Sequence, residues 1–325
     1  MKPSALIIEA EFYPPDLLHQ LETKVSIIKS SAVTQDQLRS QLILNNTEIL
    51  FCGLGINIDE SLLGQVTNIK YVVSPATGIN HLDIDYLNLR NITLIYLGDF
   101  SKKISNVFST AELTWSLLLA VIRKIIPAHA SVLSGSFDRG PFLGFDLAGR
   151  TLGIIGCGRL GLRVAEYGLA FGMRVVVCDI DKAKTANLKD GISAASLDQL
   201  LAVSDVISIH VPLNEQTHRL IADSEISKMK NGAVLINTSR GEVVDEPAIV
   251  EALKSGKLYG VGVDVLVGEN ADDFSSADSP LVVAASQNLN AVVSPHIGGW
   301  TMQAVATTRS LVVEELLRQL SSDEI

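Results

Sequence analysis

The stretch Thr151-Leu152-Gly153-Ile154-Ile155-Gly156-Cys157-Gly158-Arg159-Leu160-Gly161 (151–161) decides how the rest of the chain is read. A short apolar run ends in three glycines spaced G-x-G-x-x-G, and a helix-length segment, 160–171, follows. Each glycine has its own task in such a strand–turn–helix unit. Gly156 permits the tight turn, Gly158 lets the backbone approach a pyrophosphate, and Gly161 allows helix and strand to pack closely. The helix start then offers its amides and the positive end of its dipole to phosphates. The next apolar run, RVVVCDI (174–180), carries Asp179, 18 residues past the last glycine. A carboxylate there accepts hydrogen bonds from ribose hydroxyls and repels a 2′-phosphate, so the pattern predicts a site preferring NAD to NADP. Lys182 and Lys184 are close enough in sequence to soften that preference.

The same alternation of apolar run and helical segment extends in both directions. Downstream lie DVISIHV (205–211), GAVLINTS (232–239), LYGVGVDVL (258–266) and NAVVSPH (290–296), which with the first two make six strands. Upstream lie SALIIEA (4–10), VSIIKS (25–30), EILFCGLGI (48–56), KYVVSPA (70–76) and ITLIYL (92–97), with helical segments such as 35–44 and 59–66 between them. These runs are continuously apolar, as strands are when helices cover both faces of a parallel sheet. The chain is therefore read as α/β with two doubly wound parallel sheets. Between the two series runs a long apolar helix pattern, 111–133, with Pro127 expected to kink or end it. A polar, glycine-rich loop, 134–150, follows it, and a last helix spans 301–320.

Composition narrows the function classes. The chain has 325 residues, 47% of them apolar, enough for about two domains and far from the composition of disorder. With 26 Lys plus Arg against 36 Asp plus Glu the net charge is −10, which argues against a nucleic-acid partner. The longest strongly apolar stretch, Trp115 to Ile122, falls short of the roughly 20 residues of a membrane span. Glu9 and Glu11 interrupt the start where a secretion signal needs an apolar run. Cys52, Cys157 and Cys178 form neither a disulfide framework nor a metal spacing, so they read as reduced packing residues and point to the cytoplasm. His81, His129 and His218 read as surface or loop residues, and no metal site is predicted.

Three further strand ends each deliver polar chemistry. The run 232–239 ends in Asn237-Thr238-Ser239-Arg240-Gly241, the run 258–266 contains Asp264 and leads to Glu269, and the run 290–296 ends in Pro295-His296. Ligands of open α/β sheets bind at the carboxyl ends of the strands. A guanidinium brought there grips a carboxylate and polarises the neighbouring carbonyl. An imidazole delivers or removes a hydroxyl proton, and a carboxylate on its far nitrogen favours the protonated ring. Asp264 reads equally as a cofactor contact or a structural residue.

With these motifs in place the sequence resembles the D-isomer-specific 2-hydroxyacid dehydrogenase family, near the short forms of D-3-phosphoglycerate dehydrogenase. The resemblance covers nearly the whole chain. Its carriers are TAEL (110–113), the glycine motif with Asp179, HVPL (210–213) with Thr217, INTSRG (236–241), Asp264 with Glu269, and SPHIGG (294–299). It implies a Rossmann-type NAD domain, 106–299, inserted into a discontinuous flavodoxin-like substrate domain, 1–105 and 300–325. The crossings would lie near 99–105 and 297–301, with the active site in the cleft and domain closure excluding water.

By the same resemblance Arg240 holds the substrate, and His296 is the acid/base with Glu269 as its partner. NAD contacts are implied at Gly156, Gly158, Arg159, Leu160, Gly161, Asp179, Thr238, Ser239 and Asp264. His210, Pro212, Thr217 and Gly298 complete the cofactor set. The loop SPATGINHLD (74–83) matches the family's substrate-carboxylate loop, with backbone amides from Ala76, Thr77 and Gly78 and the side chain of Asn80. A homodimer through the helix 111–133 is likewise implied. The expected activity is NAD-dependent interconversion of a D-2-hydroxy acid and its 2-oxo acid. Phosphoglycerate dehydrogenation itself, an NAD-sensing co-regulator and a formate dehydrogenase are the alternatives, and Glu269 in the acid position speaks against the last. No serine-sensing regulatory domain is expected after residue 325. The loop 51–60 has no arginine, although phosphate-handling relatives tend to place a basic residue there. Losing that charge-assisted bond, about 1.5–3 kcal/mol, argues against a phosphorylated substrate. Phe137 and Gln303 also depart from the family's usual residues, without touching the chemistry.

Overall fold

The computed structural model describes residues 2–32, 34–100, 102–271 and 273–322. Ser101, in one expected crossing, and Asp272, in the acid-rich loop around Glu269, lie outside the described residues. The chain divides into two compact units, one of Met1–Val107, Asn270–Phe274 and Trp300–Ile325, the other of Phe108–Glu269 and Ser275–Gly299.

In the first unit the strands β1 (Ser4–Ile8), β2 (Ser26–Ser30), β3 (Ile49–Phe51), β4 (Tyr71–Ser74) and β5 (Thr93–Tyr96) form a sheet of order β2-β1-β3-β4-β5. Every pairing is parallel, so this is the flavodoxin-like order, whose direction of progression reverses between β1 and β3. The continuous apolar runs are explained by burial on both faces. Ala5 and Ile7 pack on one side with Val312, Val313 and Leu316 of the last helix, while Leu6 packs on the other with Leu38, Leu42 and Leu62. That packing ties the helix Met302–Ser322 to this unit. Each of the Leu, Ile and Val side chains contributes about 1.5–3 kcal/mol by leaving water.

The second unit contains β6 (Thr151–Ile155), β7 (Arg174–Cys178), β8 (Ile192–Ala194), β9 (Val206–Ile209), β10 (Ala233–Asn237), β11 (Leu258–Val263) and β12 (Ala291–Val293). Their order, β12-β11-β10-β9-β6-β7-β8, is the Rossmann order extended by a seventh strand, and all pairings are parallel. The sequence predicts six of these strands. The additional one, β8, has three residues at the sheet edge, with only Ile192 partly buried, and so leaves no apolar run to read.

The long helix differs from its prediction. It is two helices, Ser109–Ile122 and Ile125–Leu133, bent by 61°. The break falls at Arg123-Lys124, where Lys124 takes a left-handed backbone (φ 50°), not at Pro127. Pro127 lies in the first turn of the second helix, where a missing N–H costs no hydrogen bond. Among the described residues no single helix is long and apolar enough to cross a membrane; this pair reaches that length only together, across the bend. Of the three histidines expected at the surface or in loops, His81 lies in a loop but is buried there, whereas His129 and His218 are exposed.

Candidate active site

The glycine turn leaves β6 where the sheet order reverses between β6 and β9, the position at which open α/β sheets bind their ligands. Gly156 has φ +101°, and a Cβ there would stand 2.4 Å from the His210 carbonyl oxygen, so only glycine fits. A Cβ on Gly161 would meet the Gly156 carbonyl oxygen at 1.9 Å, whereas Gly158 faces open space. The helix Arg159–Ala170 starts from Gly158 with no side-chain cap, in contrast to the capping box of Ser196 and Gln199 on the helix Leu197–Val203. The amides of Leu160 and Gly161 in its first turn therefore remain for a ligand. Arg159 and Leu160, half-buried, form that first turn.

Asp179 lies just past β7, and its carboxylate accepts from Cys157 N at 2.7 Å and Asp181 N at 2.9 Å. Burial alone would raise its pKa, but these amides and Lys184, 3.6 Å away, hold it below the usual carboxylate range. Oδ1, which accepts only from Asp181 N, keeps a second lone pair for a ribose hydroxyl. The open glycine cradle, the uncapped helix start and this ionised carboxylate fit a dinucleotide. We expect Asp179→Ala to raise the NADP-to-NAD ratio of kcat/KM about tenfold or more, as follows from loss of one charge-assisted bond and one repulsion. An unchanged ratio in steady-state assays removes Asp179 from cofactor selection.

His210 follows β9 and pairs its Nε2 with Ser208 Oγ at 2.8 Å. Burial pushes its pKa down to about 4, so the ring is neutral in the folded protein at neutral pH. The unfolded chain binds a proton there near 6.5, the ordinary value, while the folded chain resists until about 4. This contribution to stability is complete above the ordinary value and is lost as pH falls through that window. The melting temperature should accordingly drop over this range less steeply in His210→Gln than in the native protein. Parallel slopes would contradict the assignment.

The other cofactor candidates are mostly engaged in holding their own loops. Thr217 donates to Pro212 O at 2.6 Å and accepts from Asn214 N at 2.8 Å, closing the turn after β9. Thr238 meets Thr114 across 2.9 Å, and Ser239 donates to Asn237 Oδ1 at 2.7 Å. Asn237, fully buried, also donates to Arg240 O at 2.8 Å, so one amide side chain shapes the turn that presents Arg240. Arg240 donates to Ser239 O at 2.6 Å. Burial lowers its pKa while Glu269 and Glu242 oppose the shift, which places those carboxylates within its field.

The loop after β11 is built to carry Glu269. Gly241 lies against it so closely that a Cβ would stand 2.1 Å from the Leu266 carbonyl carbon. Val267 N donates to Glu246 at 2.9 Å and Gly268 N to Glu242 at 3.0 Å. Glu269 accepts from Leu266 N at 3.1 Å through Oε2 and faces His296 Nδ1 at 2.5 Å through Oε1. His296 adopts φ 52°, an uncommon backbone for a non-glycine residue, stabilised by its N–H donating to Asp264 O at 2.8 Å.

Asp264 has a structural role, whatever it does toward a cofactor. Nearly fully buried, it accepts from Ser294 Oγ at 2.6 Å, Ile297 N at 2.9 Å and Gly298 N at 2.7 Å, which fixes the turn on both sides of His296. Burial raises its pKa and those three donors oppose the rise. Sequence reasoning missed Asn237, Gly241, Glu242, Glu246 and Ser294 as supports; all act through loop hydrogen bonds or close approach, which leave no periodic signal.

In the first unit the loop after β4 carries Ala76, Thr77, Gly78 and Asn80. The amides of Ala76, Thr77 and Gly78 donate no hydrogen bond to described residues. Cys52 and Cys157 are buried and Cys178 is partly so, all three unpaired. No cluster of three metal-ligating side chains occurs among the described residues.

Comparison with known proteins places this geometry. Residues 115–298 match the family model described as D-isomer specific 2-hydroxyacid dehydrogenase, NAD binding domain. A glyoxylate reductase of Thermococcus litoralis is 35% identical over 270 residues, covering 80% of this chain and 76% of that protein. A D-3-phosphoglycerate dehydrogenase of Bacillus subtilis is 32% identical over 275 residues, covering 85% of this chain but 50% of that protein, so the chain spans about half its length. Among solved structures, D-lactate dehydrogenase from Aquifex aeolicus, complexed with NAD and lactic acid, superposes with a TM-score of 0.80 at 29% identity, covering 98% of this chain and 96% of that one.

Proposed function

The chain belongs to the D-isomer-specific 2-hydroxyacid dehydrogenase family, and from that premise we propose that it reduces a 2-oxo acid to the D-2-hydroxy acid with NADH, reversibly. The observation that carries the proposal is the 2.5 Å contact between His296 Nδ1 and Glu269, with Arg240 presented from the adjacent strand end. Gly156, Gly158, Gly161 and Asp179 hold the dinucleotide, which when bound exchanges the hydride with the substrate. Arg240 grips the 2-oxo acid and polarises its carbonyl. Glu269 fixes the ring of His296 by accepting from Nδ1, so Nε2 is the atom that donates the proton to the nascent alkoxide. In the oxidative direction the same nitrogen removes it. The loop of Ala76, Thr77 and Gly78 offers its free amides to the substrate carboxylate.

We further place the protein in the cytoplasm, on the strength of its three unpaired cysteines, and as a homodimer. The helix Ile125–Leu133 and the loop after it expose Ile125, Ile126, Val132, Leu133, Phe137 and Leu143, an apolar surface that a second copy would cover. The net negative charge disfavours nucleic acid as a partner. The test of the activity is a panel of glyoxylate, pyruvate and hydroxypyruvate followed by loss of NADH absorbance. Turnover of at least one supports the reading; an inert panel with intact NADH binding favours a sensing role instead.

A further inference from the structure

Resting on the reading above, we propose that Glu9 is a specificity-determining residue. Its carboxylate receives the tail of the 2-oxo acid, selecting hydroxyl-bearing, uncharged tails and rejecting tails with a second negative charge.

Glu9 follows β1 and Gly53 follows β3, so the two stand where the order of the first sheet reverses, the ligand position of such sheets. The substrate-carboxylate loop leaves the next strand, β4, at the same edge. A Cβ on Gly53 would lie 3.6 Å from both Cδ and Oε2 of Glu9; glycine at this position leaves that face of the carboxylate uncovered. Glu9 holds a left-handed backbone (φ 57°), an uncommon conformation for a non-glycine residue of the kind found at functional sites.

The counter-charge lies behind it. Arg309 Nη2 reaches Glu9 Oε2 at 3.3 Å, and the guanidinium is set 5.0 Å from the Tyr13 ring centre and 5.4 Å from that of Trp300. Its side chain is 5% exposed, that of Glu9 41%, so an approaching ligand meets the carboxylate and not the cation. Oε1 of Glu9 has no hydrogen-bond partner among the described residues, leaving an acceptor for a hydroxyl. The three loops at this edge, 9–14, 52–59 and 75–83, contain no lysine or arginine. Their Asp59 and Asp83 are occupied in capping helices, through Leu62 N and Tyr86 N.

The experiment compares kcat/KM for hydroxypyruvate and 3-phosphohydroxypyruvate in the native protein and in Glu9→Gln, with glyoxylate reduction by the native protein as the separate check on the function itself. The native protein should favour hydroxypyruvate by tenfold or more. Glu9→Gln should cut that ratio by about five- to tenfold, the effect of removing one like-charge repulsion in a well-solvated site, and mainly through KM for the phosphorylated acid. A purely structural ion pair with Arg309 would instead lower both values equally and leave the ratio intact, which overturns the proposal. If the variant fails to fold, the native preference decides: a preference for the phosphorylated acid overturns the inference. Glyoxylate turnover combined with no discrimination refutes Glu9 alone. No turnover of these three acids or of pyruvate refutes the function and the inference with it.

Discussion

Replacing His296 with alanine lowers turnover by about 10²–10⁴-fold while NADH binding, followed by fluorescence, persists. The magnitude is that of a lost general acid. It is expected here because Glu269 engages Nδ1 and the turn around residue 296 is fixed independently of the ring. Asp264 fixes that turn through Ile297 N and Gly298 N, and Gly298 would remain in place after the ring is removed. On the reading proposed above, the cofactor is held by the glycine turn after β6 and by Asp179, whose carboxylate pairs with Cys157 N and not with residue 296. Turnover within a few-fold of the native value would show that the proton comes from elsewhere.

Replacing Arg240 with glutamine lowers kcat/KM by about 10²–10³-fold, the usual effect of losing a donor that stabilises developing charge on oxygen. Glutamine retains a donor but not the charge or the planar fork, so substrate affinity suffers along with turnover. The backbone of the turn should survive, since Asn237 holds it through Arg240 O and Ser239 Oγ and touches no guanidinium atom. Arg240→Lys keeps the charge and should recover only part of the loss. Full recovery with lysine would mean that charge alone matters and that bidentate geometry does not.

How much of this was legible in the sequence follows from what each feature depends on. The long strands could be read because burial on both faces forces continuous apolar runs, as in β10, whose five residues are all buried. The three-residue edge strand β8 meets no such demand and left no trace. The break at Lys124 is set by a left-handed lysine without glycine or proline to signal it, while Pro127 suggested a break that the first turn of a helix does not need. His81 gave no sign of its burial, because the sequence does not say which loop residue turns inward. Arg240, Glu269 and His296 stood out because the carboxyl ends of parallel strands collect ligand chemistry. Their supports did not, because Glu242, Glu246 and Asn237 act through loop hydrogen bonds whose partners are fixed only by the folded backbone. Asp264 shows the boundary between the two cases. Its position at a strand end fits a cofactor contact, and only the three donors around its carboxylate reveal that it holds the histidine turn.

Direct hydride delivery from NADH to a 2-oxo acid can be followed by isotope transfer. The protein is incubated with pyruvate and NADH deuterated at the transferable position, and the product is analysed by NMR and on a chiral column. The expected product is D-lactate with deuterium on the hydroxyl-bearing carbon. Product of the L form, deuterium found only in water, or NADH left unconsumed in the presence of each 2-oxo acid of the panel would contradict it.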